Sequence, residues 1–169
     1  MRAVAEEFAA AGFHVLRCDL PYRQARPTGP PFPGAAARDR EGLHRAVAAM
    51  REITPGFVIL GGHSYGGRQA TLLAAENSAV ADALLLLSYP LHPPRKAEQL
   101  RTQHFPQLRT PALFIHGTRD PFGSIEEMTA AIAAVPARHQ LIAIEKAGHE
   151  LGAAAAAVIL REAQCFANA

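Results

Sequence analysis

A serine, a histidine and a carboxylate can together attack an acyl carbon, and this chain carries one of each in a suggestive setting. Ser64 lies in Gly62-His63-Ser64-Tyr65-Gly66, preceded by the apolar run Phe57-Val58-Ile59-Leu60 and followed by Gly67-Arg68-Gln69-Ala70-Thr71-Leu72-Leu73. A strand, a sharp turn and a helix, in that order, are the context that a G-x-S-x-G nucleophile elbow requires. A serine held on such a turn needs neighbours without a Cβ, so that strand and helix approach closely and the hydroxyl projects. The competing reading is a Gly-rich turn that only connects two elements or cradles a phosphate. A serine hydroxyl is a poor nucleophile near neutral pH. It needs an imidazole to accept its proton, and the imidazole needs a carboxylate to fix its tautomer and stabilise its charged form.

His149, in Ala147-Gly148-His149, is the candidate base, and Asp120, in His116-Gly117-Thr118-Arg119-Asp120-Pro121, is the candidate carboxylate. Glu145 and Glu150 are alternative carboxylates, and Asp120 could instead cap the helix that starts near Ser124. His116 reads as a residue that packs or bonds locally at a strand end, and His149 could be a solvated loop histidine.

These residues need elements to position them. Met1 to Ala11 has a helical spacing of Val4, Phe8 and Ala11 and ends at Gly12. Phe13 to Leu20 reads as a strand, with Cys18 as a small core residue, and the proline-rich Pro21 to Pro33 as an irregular loop. A helix is expected from Ala37 or Arg38, with Leu43, Val47 and Met50 on its buried side, ending before Pro55. Strands are expected at Phe57–Leu60, Ala83–Ser88, Pro111–His116 and His139–Glu145. Between Tyr89 and Thr110 only one or two helical turns are expected, near Arg95 to Arg101, which leaves no room for a large lid domain. Ser124 should cap a helix with Glu126 and Glu127 in its first turn, and a last helix should run from Ala153 to Phe166.

Strands alternating with helices at this spacing imply an α/β fold: one domain, residues 1–169, around a mostly parallel sheet of about five strands with helices on both faces. In such sheets ligands bind beyond the C-terminal strand ends. Ser64, Asp120 and His149 all fall at such ends.

Composition narrows the class. The 169 residues are 49% hydrophobic and 19% charged, with a net charge of +2, which fits a globular domain with a core. The arginines are scattered singly, without a basic run, so a nucleic-acid surface is not expected. Cys18 and Cys165 have neither metal-site nor redox spacing. The longest apolar run, Leu151 to Leu160, is too short to span a bilayer, and Glu6 and Glu7 stand where a signal peptide would need apolar residues. A cytoplasmic protein with no membrane contact is the expectation.

The order Ser64, Asp120, His149 is the order of the α/β-hydrolase fold. With the segments around Asp120 and His149, Gly61 through Arg68, and Tyr89-Pro90-Leu91-His92-Pro93-Pro94, the chain resembles the small dienelactone-hydrolase-like branch of that superfamily over nearly its whole length. The resemblance implies a serine hydrolase, esterase-like, acting on a small-molecule substrate without metal or other cofactor. Ser64, Asp120 and His149 would be catalytic, and the Tyr65 backbone N–H would be one oxyanion donor. His63, Leu91, Phe105 and Phe122 are candidate pocket walls.

The resemblance also implies a strand and an oxyanion loop ahead of the first helix, lying in the sheet between the strands at Val15 and Val58. Met1 is followed at once by that helix. The expectations are therefore an internal methionine of a longer protein, a shortened form whose sheet closes directly or is completed by a homodimer, or a non-catalytic interaction module. Acyl transfer to an acceptor other than water would use the same residues.

Overall fold

The computed structural model describes residues 1–32 and 34–168. Its centre is a sheet of four parallel strands, β1 (Ile59–His63), β2 (Ala83–Leu87), β3 (Ala112–Gly117) and β4 (His139–Ile144), in the spatial order β1-β2-β3-β4. The register runs Leu60 to Leu84, Leu84 to Ala112 and Ala112 to His139. The inner strands are buried along their whole length, as near-continuous apolar runs such as Leu84-Leu85-Leu86-Leu87 require.

Alternation along these strands feeds two cores. Leu60, Leu84, Leu86 and Phe114 face one side, where they pack with Leu43 and Val47 of α3 (Ala35–Ile53), Leu73 of α4 (Tyr65–Glu76) and Met128 of α5 (Ile125–Ile132). Leu85, Leu87, Leu113 and Ile115 face the other, against Phe8 of α1 (Arg2–Ala10) and Ile159, Ala163 and Phe166 of α6 (Ala156–Asn168). Ser124 caps α5 in a full capping box: its hydroxyl accepts from the Glu127 N–H at 3.2 Å, and the Glu127 carboxylate accepts from the Ser124 N–H at 2.7 Å. No helix among the described residues is long and apolar enough to cross a membrane.

The sheet has four strands where five were expected, because Phe13–Leu20 forms none. This segment links α1 on one face to α2 (Pro21–Ala25) on the other, where Leu20 packs into the α3–α4 core, so it passes outside the sheet. The apolar spacing that suggested a strand is present, but no neighbouring strand pairs with its backbone. Phe13, Val15 and Leu16 are exposed, as is Cys18, which is therefore not a core residue. β1 is consequently an edge strand, so the sheet does not close directly onto Phe13–Leu20.

Smaller differences have local causes. The expected loop at Pro21 begins with a short helix, since proline suits a first helical position, and Asp39 accepts from the Tyr22 N–H at 2.9 Å. Pro33, at the end of that loop, lies outside the described residues. Arg95 to Arg101 makes isolated turns rather than helix, and α3 begins at Ala35, slightly before the expected start.

Candidate active site

The turn after β1 is strained. Ser64 has φ 52° and ψ −120°, outside the regions non-glycine residues ordinarily adopt, at a cost of about 1–3 kcal/mol. What holds it there is the approach of two glycines. A Cβ on Gly62 would overlap the Gly67 nitrogen and the Gly66 carbonyl carbon, and one on Gly67 would come within 2.8 Å of the Gly62 carbonyl oxygen. Gly66, the second glycine of the motif, meets nothing within 4 Å. The steric requirement falls on Gly62 and Gly67.

β1 and β4 lie three strand spacings apart, about 14 Å. The loop after β4 nevertheless brings His149 to Ser64 by leaning back over the end of β3. The Arg119 N–H donates to the Ala147 carbonyl at 2.8 Å, and a Cβ on Gly117 would overlap the Ala147 and Gly148 carbonyl oxygens. Glycine at the end of β3 is what lets the loop lie this low.

The resulting hydrogen-bond chain is continuous. Ser64 Oγ lies 2.8 Å from His149 Nε2, and His149 Nδ1 lies 2.8 Å from Asp120 Oδ2 and 3.1 Å from Oδ1. With Nδ1–H donating to the carboxylate, Nε2 accepts from the serine hydroxyl. The Asp120 side chain is wholly buried, and its Oδ1 also accepts from the Phe122 N–H at 2.9 Å. Burial pushes its pKa up, but the hydrogen bonds from His149 and the Phe122 N–H outweigh this and hold the carboxyl below its ordinary value. Glu150 is remote from this role, 87% exposed, and among the described residues approaches only His63, at 4.0 Å.

His116 is fully buried on the other side of Asp120. Its Nε2–H donates to the Gly123 carbonyl at 2.8 Å and lies 3.7 Å from Asp120 Oδ2, while burial pushes its pKa down. His63, half-buried, donates from Nε2 to the His149 carbonyl at 2.9 Å and lies ring to ring with His149 at 5.0 Å. It steadies the loop that carries the imidazole. The Phe122 ring lies 4.3 Å from that of His149 and flanks the site. Tyr65, as the first residue of α4, has no helical acceptor for its N–H, which remains able to donate beside Ser64.

Two candidate wall residues belong elsewhere. Leu91 is fully buried against Gly123, and Phe105 is fully buried between Tyr89 and Phe114. Both fill the α3–α4 core, because the segment after β2 folds down onto the sheet.

The sequence reading passed over Asp39. It is fully buried on α3, and its carboxylate accepts from the Tyr65 hydroxyl at 2.8 Å and from the Tyr22 N–H. Burial first, and this bond second, raise the Tyr65 pKa well above its ordinary value. Asp39 lies in phase with Leu43 and Val47, and a carboxylate on the core-facing stripe of a helix was a signal available to the reader. It ties the residue after Ser64 to α2 and α3.

A family model described as an alpha/beta hydrolase domain matches residues 1–164, and the chain belongs to that family. Solved structures with the same fold include TT1662 from Thermus thermophilus, 22% identical, covering 99% of this chain and 83% of that one with a TM-score of 0.75. A dienelactone hydrolase from Anabaena variabilis is 24% identical, covering 99% of this chain and 77% of that one, also with a TM-score of 0.75. A serine hydrolase involved in carbazole degradation is 14% identical over 83% of this chain and 74% of its own, with a TM-score of 0.66.

Proposed function

We propose that this chain is a serine hydrolase that cleaves an ester or related acyl bond of a small substrate. The observation that carries the reading is the unbroken chain from Ser64 Oγ through His149 to the buried Asp120, starting from a serine on a strained elbow. Membership of the alpha/beta hydrolase family supports it.

In the proposed reaction Ser64 Oγ attacks the acyl carbon while its proton passes to His149 Nε2. The Tyr65 N–H faces the negative charge that develops on the carbonyl oxygen. Asp120 stabilises the imidazolium through Nδ1–H. Collapse breaks the bond to the leaving alcohol, which takes the proton from His149 and leaves the acyl group on Ser64. Water then attacks the acyl carbon, gives a proton to His149, and the Ser64 oxygen leaves with that proton restored. The carboxylic acid departs. No step needs a metal or an organic cofactor.

A fluorophosphonate probe is expected to label the wild-type protein and not Ser64→Ala. Equal labelling of both would overturn the assignment of the nucleophile. Turnover of simple aryl esters, abolished in His149→Ala, would set aside the alternative of a non-catalytic scaffold.

A further inference from the structure

One helical turn beyond Ser64 the chain holds positive charge without a carboxylate to meet it. The Arg68 N–H donates to the Ser64 carbonyl at 3.0 Å, so Arg68 belongs to the first turn of α4, at the crevice end of the sheet. Its Nε is buried and has no hydrogen-bond partner among the described residues. The Arg101 side chain donates, among the described residues, only to the Pro90 carbonyl, at 3.5 Å. Neither arginine is in an ion pair among the described residues, whereas Arg40 pairs with Glu76 and Arg51 with Asp82, each at 3.2 Å.

The buried Asp39 carboxylate nearby is taken up by the Tyr65 hydroxyl at 2.8 Å and the Tyr22 N–H at 2.9 Å. Thr71 donates to the Arg68 carbonyl and binds His104 Nε2, each at 2.8 Å, and the Tyr89 hydroxyl donates to the Arg101 carbonyl at 2.7 Å. Burial, and then the charge of Arg68, push the pKa of His104 down to about 4, so it is uncharged at neutral pH. Burial, and then the same charge, also lower that of Arg101. Partly buried cations without a partner are costly, and a planar guanidinium fork matches carboxylate and phosphate oxygens.

We propose that Arg68 and Arg101 form a subsite for an anionic oxygen group, a carboxylate or a phosphate, carried by the substrate whose acyl carbon Ser64 attacks. This rests on the hydrolase reading and deepens it, by making the preferred substrate an anionic ester. The arginines orient the substrate and take no part in bond making.

The test compares kcat/KM for 4-nitrophenyl butyrate, which is neutral, and mono-4-nitrophenyl glutarate, which carries a carboxylate. The wild type should favour the glutarate ester by at least about tenfold. Arg68→Gln should lose about 10- to 100-fold on that ester, the worth of a charge-assisted hydrogen bond, and stay within about twofold on the butyrate. Arg101→Gln should behave likewise and serves if Arg68→Gln does not fold. Equal losses on both esters, or no wild-type preference, would overturn the subsite.

If the wild type cleaves neither ester, the hydrolase reading fails, and the subsite is decided by binding alone. Free glutarate and inorganic phosphate, titrated calorimetrically into Ser64→Ala, should bind, and the one that binds more tightly identifies the group. Loss of that binding in Ser64→Ala combined with Arg68→Gln supports the subsite, and no binding by either anion overturns it.

Discussion

His116 and His149 bracket the Asp120 carboxylate, with His149 Nδ1 at 2.8 Å and His116 Nε2 at 3.7 Å from the same oxygen, Oδ2. Only His149 bonds to it, because His116 spends its Nε2–H on the Gly123 carbonyl. Asp120→Asn should therefore release the His149 tautomer while leaving the fold intact. A loss on the order of 10³ to 10⁴ in kcat toward an aryl ester is expected, with a modest fall in Tm from loss of the charged carboxylate. Steady-state kinetics beside a thermal melt checks this, and an Asp120→Asn variant with kcat close to that of the wild type would contradict the assigned role.

The two glycines of the motif should respond to substitution to very different degrees. Gly62→Ala forces a Cβ into the backbone of Gly66 and Gly67, which cannot yield as a side chain could, so a destabilisation of about 3 kcal/mol is expected. Gly66→Ala meets open space and should cost under about 1 kcal/mol. Denaturant titrations of the two variants should separate them clearly.

His63 meets the site through its hydrogen bond to the His149 carbonyl and through its ring against that of His149. His63→Phe keeps a ring against His149 but removes the donor, so the loop should hold the imidazole less firmly. The expected result is a drop of about tenfold in kcat with KM nearly unchanged, consistent with small displacements of a catalytic group. A change confined to KM would instead make His63 a substrate contact.

Stability should fall on mild acidification. His104 and His116 both have pKa values lowered by burial, His104 to about 4. Between that value and the ordinary histidine pKa near 6.5, the unfolded chain binds a proton that the folded chain refuses. Their contribution is thus complete above about pH 7 and is lost as the pH drops below the ordinary histidine value, for His104 down to about 4. The depressed Asp120 carboxyl works in a lower range: its contribution is present above the ordinary aspartate value and disappears only as the pH falls through its own. Tm measured from pH 7.5 to 5 should decline, and His104→Gln should flatten part of the decline.

Much of this was legible in the sequence because the signals were local. The apolar runs of β2 and β3, the Ser124 capping box and the Gly62-x-Ser64 turn each declare themselves within a few residues. What stayed hidden depends on partners far along the chain. Phe13–Leu20 has a strand's composition, but a strand exists only beside another, and none lies there. Leu91 and Phe105 looked like wall residues because apolar side chains in a loop near the site have no pattern to say which way they turn. Gly66 closes the motif and Gly67 follows it, and only the packed geometry shows which of them the elbow needs. Arg68 was read as part of a family pattern, and its lack of a carboxylate partner becomes visible only when every neighbour is in place.

The order of the strands in space is their order along the chain, and it sets when the site can exist. Ser64 follows the first strand and His149 the last, at opposite edges of the sheet, with Asp120 following the strand between. During synthesis the nucleophile emerges early and waits without its base until β4 and the loop behind it have been made. A chain released before that point, or one whose last strand has not yet docked, carries an exposed serine with no means of activating it. On the proposed function, ester turnover would report complete folding, appearing only in molecules that have assembled the whole sheet.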